Sequence, residues 1–110
     1  MQKLSLDALV RDHLKRAAAN STGRSADTVY GGHERVLRQT LIALTSGTTL
    51  SEHENPGEAT ISVLHGRVRL LSGDNSWDGI SGDLLIVPEA RHSLEALEDS
   101  AILLTVAKSG

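Results

Sequence analysis

Gly82-Asp83-Leu84-Leu85-Ile86-Val87-Pro88-Glu89-Ala90-Arg91-His92 is the stretch on which the fold turns. A Gly-Asp pair marks a turn. A continuous apolar run follows, as for a strand buried on both faces, and Pro88 ends it because proline has no amide proton for a ladder. Upstream, Asp74-Asn75 and Asp78-Gly79 read as turns, with Trp77 between them capping one end of the molecule. Further back, Ala59–Leu64 alternates cleanly. Ala59, Ile61 and Val63 share one face, and Thr60, Ser62 and Leu64 share the other. His65-Gly66 then turns tightly into a strand over Arg67–Leu71.

The same pattern continues outward. Arg35–Thr45 is rich in β-branched and apolar residues, and His92–Leu97 and Ala101–Ala107 are joined by a turn at Glu98-Asp99-Ser100. Short strands at such regular spacing predict an all-β sandwich or barrel. Ahead of them, residues 5–19 read as an amphipathic helix. Leu6, Leu9, Val10, His13, Leu14 and Ala17 fall on one face, and Ser5 is placed to cap it. Asp7–Arg11 and Asp12–Arg16 are spaced as ion pairs on the other face. Residues 20–34 are polar and glycine-rich and read as a linker, with strand character at Ala26–Tyr30. The expected organisation is a helix and linker over 1–34 and a barrel over 35–110.

Composition narrows the function. A chain of 110 residues makes one domain with one core. It has no cysteine, which removes disulfides, thiolate metal sites and cysteine nucleophiles. The net charge of −3 gives no reason to expect a nucleic-acid partner. One Trp, one Tyr and no Phe argue against aromatic cages and base-stacking platforms. No apolar run approaches the roughly 18 residues of a membrane helix, and no secretory leader is visible. A cytoplasmic protein without a membrane partner is expected.

Two segments carry a more specific signal. One is Gly47-Thr48-Thr49-Leu50-Ser51-Glu52-His53-Glu54-Asn55-Pro56-Gly57-Glu58-Ala59, running on to Gly66; the other is the Gly82–His92 stretch. Together they resemble the two motifs of the cupin superfamily. Gly47, His53, Gly66, Gly82 and Pro88 fall at the family spacing. The resemblance covers about residues 36–107 and implies a double-stranded β-helix, or jelly-roll barrel, with a ligand pocket in its mouth. It also implies metal ligands, of which His53 and His92 carry over. The second histidine of the first motif is Asn55 here, the family's glutamate falls on Ala59, and the glycine of the second motif is Ala90. Glu58 does not replace the carboxylate, because alternation turns it outward if Ala59 faces in.

The candidate pocket residues are therefore His53, Asn55 and His92, with His53 and His92 as candidate ligands for a divalent metal such as Fe, Ni, Mn or Zn. Two histidines and an amide fall short of the two-His-one-carboxylate set that suits non-haem iron. Gln39 and Arg38 point to opposite faces of the first long strand. The series Leu37, Gln39, Leu41, Ala43 turns Gln39 inward as a further pocket residue. His92 and Ser93 are strand neighbours facing opposite ways, so they do not form a nucleophile–base pair. Two functions follow: a non-catalytic small-molecule-binding or sensing barrel, or a metal-dependent enzyme of dioxygenase, isomerase or epimerase type. The resemblance also implies a homodimer, which the apolar helix face suits.

Overall fold

The computed structural model describes residues 2–53 and 57–108, except the side chains of Glu52 and His53. One helix and nine strands follow in chain order: α1 Leu6–Ala19, β1 Arg24–Gly31, β2 Leu37–Leu44, β3 Thr49–His53, β4 Gly57–His65, β5 Arg67–Ser72, β6 Asn75–Ile80, β7 Leu84–Ile86, β8 His92–Ala96 and β9 Ser100–Lys108. They form two sheets, here called A, in the order β1-β2-β9-β4-β7, and B, in the order β3-β8-β5-β6. Every pairing is antiparallel. The two sheets close on a core that includes Ile42, Leu44, Ala59, Ile61, Val63, Val68, Leu70, Val87, Leu94, Ala96, Ile102 and Val106. The architecture is a jelly-roll barrel with an added helix.

Sheet A is covered on both sides. Its barrel-facing rows enter the core just named, while Leu41, Ala43 and Ala101 point the other way and meet Val10 and Ala17 of α1, with Leu9, Leu14, Val29 and Leu64 around them. Ser5 caps α1 by accepting from the Ala8 amide at 3.2 Å, which satisfies one of the unpaired donors of the first turn. The ion pair Asp12–Arg16 forms at 2.9 Å. His13 lies on the buried stripe at 1% exposure. Its Nδ1 meets Ser25 Oγ at 2.7 Å and its Nε2 meets Asp27 Oδ2 at 3.2 Å. Both ring nitrogens of this buried side chain are thus engaged, as burial of a polar ring requires. The pair of contacts fastens α1 to β1.

Three sequence expectations change. The strand expected at Ala26–Tyr30 forms and is longer, Arg24–Gly31: it pairs with β2 from Arg24–Leu44 to Gly31–Arg38 as an edge strand of sheet A, so the linker reading of 20–34 holds only outside it. Asp78-Gly79 is not a turn but lies inside β6, opposite Arg69 and Val68. Asp78 is tolerated there because Arg69 and Arg67 bind it across the strands. Gly79 fits because a Cβ would come within 3.1 Å of both Val63 and Leu85. Trp77 accordingly sits in a strand, opposite Leu70. Finally, the run Leu84–Val87 is not buried on both faces. Leu85 points into the core, but Leu84 and Ile86 are 58% and 69% exposed. The reason is position: β7 is at the edge of sheet A, and α1 packs on β1, β2 and β9 at the other side.

Gly66 shows why the hairpin between β4 and β5 needs glycine. Its φ is +84°, and a Cβ would fall 2.3 Å from the Asp99 carbonyl oxygen. Both facts exclude a side chain.

These burial differences set the cost of mutation. Leu41→Ala leaves a cavity between sheet A and α1 and is expected to destabilise by about 2–5 kcal/mol. Ala26→Ser, on the same sheet but exposed on the edge strand β1, is expected to stay within about 0.5 kcal/mol. Urea unfolding of both variants checks this, and equal losses would contradict the burial assignment.

Candidate functional site

The site is built at one end of the barrel. There β2 begins, β3 ends, β4 begins after the 54–56 connection, β7 runs out into Val87-Pro88, β8 begins at His92 and β9 ends. The barrel-facing residues at this end follow from register. Arg38 of β2 pairs with Val106 of β9, and Val106 pairs with Ala59 of β4. Val87 donates its amide to the Ala59 carbonyl at 3.0 Å. Arg38, Val106, Ala59 and Val87 therefore form one layer across sheet A. From sheet B, His92 shares its row with the core residues Leu94 and Ala96 and is 5% exposed. The backbone register sets position 53 opposite His92 on adjacent strands, after a bulge that follows Leu50.

His92 Nδ1 lies 3.0 Å from the Ala90 carbonyl oxygen. A carbonyl only accepts, so Nδ1 carries the proton. In the neutral ring Nε2 is then the lone-pair nitrogen. This is the kind of second contact that fixes a ligating histidine.

Ala59 faces the barrel, as alternation predicted, and supplies no donor atom. Glu58 is exposed and stands outside that row. It lines, with Ala59, Thr60, Ile86, Val87, Pro88 and Glu89, a cleft of about 470 Å3 on the β4–β7 flank. Asn55 lies outside the described residues, as does the side chain of His53. An open catalytic metal site takes three protein ligands. Among the described residues no three His, Asp or Glu side chains come together.

Gln39 is a correction. It occupies the β2 row of Leu41 and Ala43, which faces α1, and its Nε2 donates to Thr105 Oγ1 at 3.2 Å on that outer side. The barrel-facing row is Arg38, Thr40, Ile42 and Leu44. Arg38 thus takes the inward place expected of Gln39. The sequence could not decide this, because both rows of β2 are apolar beyond position 40. Only the arrival of α1 distinguishes them.

A separate charged cluster lies on the outer face of sheet B. Arg69 grips Asp78 with Nε at 2.7 Å and a second nitrogen at 3.2 Å, and Arg67 adds a contact at 3.2 Å. The hydrogen bonds from Arg69 hold the Asp78 carboxyl below the usual carboxylate range, against the opposing effect of desolvation, with Arg67 adding to the lowering.

No family model matches the chain, and no curated protein is similar to it at a significant level. Solved structures are similar. A conserved Streptococcus pyogenes protein of unknown function is 23% identical with a TM-score of 0.74, over 83% of this chain and 79% of that one. A cupin superfamily protein from Desulfitobacterium hafniense is 20% identical with a TM-score of 0.71, over 78% of each chain. An RmlC-like cupin from Desulfovibrio desulfuricans is 24% identical with a TM-score of 0.67, over 76% of this chain and 81% of that one. The fold of this chain is the cupin barrel. Among the described residues, no helix is long and apolar enough to cross a membrane.

Two measurements check the electrostatics. A carboxyl whose pKa is lowered by folding adds stability above its unfolded value, and that stability is lost as pH falls through the folded value. Asp78→Asn is therefore expected to be less stable than the parent near pH 7, with the difference shrinking as pH falls below the ordinary carboxylate range. A pH-independent difference in melting temperature would contradict this. For His92, nitrogen-15 NMR is expected to show the neutral ring protonated at Nδ1, and a neutral ring protonated at Nε2 would refute the contact with Ala90.

Proposed function

We propose that this chain is a non-catalytic small-molecule-binding or sensing barrel, with His53, Asn55 and His92 as the polar groups of an otherwise aliphatic mouth. The observation that carries this reading is Ala59. It stands on the barrel-facing row where the resemblance puts the carboxylate of a metal centre, and its methyl group ligates nothing. The neighbours in the layer do not compensate, since Val106 and Val87 are aliphatic and Glu58 faces out. A mostly apolar concavity with a few convergent polar groups is the usual form of a small-molecule site. His92, buried and fixed by Ala90, supplies one of those groups in a defined tautomer.

The protein works in the cytoplasm as a homodimer. Supporting this is the apolar surface left on the rim of the barrel, where Ile80, Leu84 and Ile86 are all more than half exposed. Exposed apolar residues gathered on one side favour association.

Elemental analysis of untagged protein, after separate reconstitution with Fe, Ni, Mn and Zn, is expected to show well under one metal per chain and no dependence on His53. Stoichiometric metal that disappears in His53→Ala would overturn the reading in favour of a metal-dependent enzyme. Sedimentation is expected to give twice the mass of the 110-residue chain, and a monomer would remove the dimer.

A further inference from the structure

Among the described residues, the charged side chains on the barrel-facing rows are of one sign. Arg38 on β2 is half-buried, and its guanidinium has no hydrogen-bond or ion-pair partner among the described residues. Lys108 continues the β9 row of Ile102, Leu104 and Val106. It sits two residues beyond Val106, the partner of Arg38, and so is a diagonal neighbour within reach of long side chains. Its ammonium is tied to the Gly32 carbonyl, which uses one of three donors. His92 is the third titratable group facing in. Among the described residues, the barrel-facing rows of β2, β4, β7, β8 and β9 hold no carboxylate: Glu58 lies on the outward row, Glu89 lies on the flank cleft, and Glu95 alternates with Leu94 and Ala96.

From this arrangement we propose that the mouth selects small molecules bearing a carboxylate, with Arg38 as the residue that grips it. The inference rests on the small-molecule-binding reading above and names the ligand class. A half-buried cation is costly unless something of opposite charge meets it. Among the described residues no such group stands on the inward rows, and a ligand's carboxylate is the partner that would meet it. The planar fork of arginine matches a carboxylate through two parallel hydrogen bonds. The site differs from a metal-centred one by an inversion of charge. In the layer Arg38–Val106–Ala59, the acid expected at position 59 is gone and a cation stands two strands away. A ligand's own carboxylate would restore the balance. The apolar part of such a ligand would lie along Val106, Val87 and Ala59.

Titrations with oxalate, malonate, succinate and 2-oxoglutarate, each in the presence of a chelator, test this, with malonamide as the neutral counterpart of malonate. The readouts are calorimetry and amide shifts of residues 38, 59, 92 and 106. At least one acid is expected to bind and malonamide is not. Arg38→Met is expected to weaken that acid by about ten- to a hundredfold, with Arg38→Lys falling between because it keeps the charge and loses the fork. Amide dispersion and melting temperature confirm that each variant is folded, and Arg38→Gln replaces Arg38→Met if the latter is not. Equal affinity in the parent and Arg38→Met, or no shift at the mouth with any acid, overturns the proposal. Binding of malonamide as tightly as malonate overturns it too, while leaving the small-molecule reading standing. Binding of an acid only when the chelator is replaced by a divalent metal overturns the metal-free reading of the site.

Discussion

The structure depends on sheet A being packed on both faces at once. Its middle strands separate the barrel core from α1, so each residue of β2 and β9 must satisfy one side or the other. Leu41 and Ala43 are fully buried against the helix side, and Ile42 and Leu44 are buried against the barrel. Strand alternation leaves no freedom here, because a slip of one residue exchanges the two sets. The long β2–β9 and β4–β9 ladders fix the register. Once it is fixed, the inward place of every residue at the mouth follows.

The helix is held by shape and by one polar fastening. His13 is an expensive residue to bury, and it is placed where both nitrogens are used, by Ser25 and Asp27 of β1. Asp27 also receives Arg16 at 3.5 Å, so the acid is shared by two basic side chains of the helix. These contacts specify which strand α1 lies on, while Val10 and Ala17 supply the apolar burial. Among the described residues no buried side-chain polar atom is left without a partner. The same economy makes an unpartnered Arg38 at the mouth conspicuous.

The mouth is the place where local rules and the chain's chemistry part company. At the barrel end Ala59, Val87 and Val106 are apolar, and the polar groups come from strand ends: His92 at the start of β8 in sheet B and Arg38 near the start of β2 in sheet A. Strand ends suit this role because backbone pairing positions them while leaving their side chains at the opening. Among the described acids of this region, Glu58 and Glu89 line the β4–β7 cleft, and Glu58 stands on the outward row of β4 because Ala59 faces in.

The sequence by itself determined the strand-rich barrel, the helix with its cap at Ser5, and the inward row Ala59, Ile61, Val63. Each is a local pattern: a clean alternation, a 3.6-residue stripe, a turn that only glycine permits at Gly66. It also determined that position 59 brings no oxygen, since a residue's chemistry does not wait on folding. Only the tertiary structure decided what depends on long-range neighbours. β1 became an edge strand because β2 was there to pair with it. Asp78 and Gly79 stayed in a strand because Arg69, Val63 and Leu85 accommodate them. Leu84 and Ile86 were left exposed because the helix went to the opposite side of the sheet. Gln39 and Arg38 show the reason most plainly. Alternation says that they differ, but which of them enters the barrel is set by the side of β2 that α1 covers.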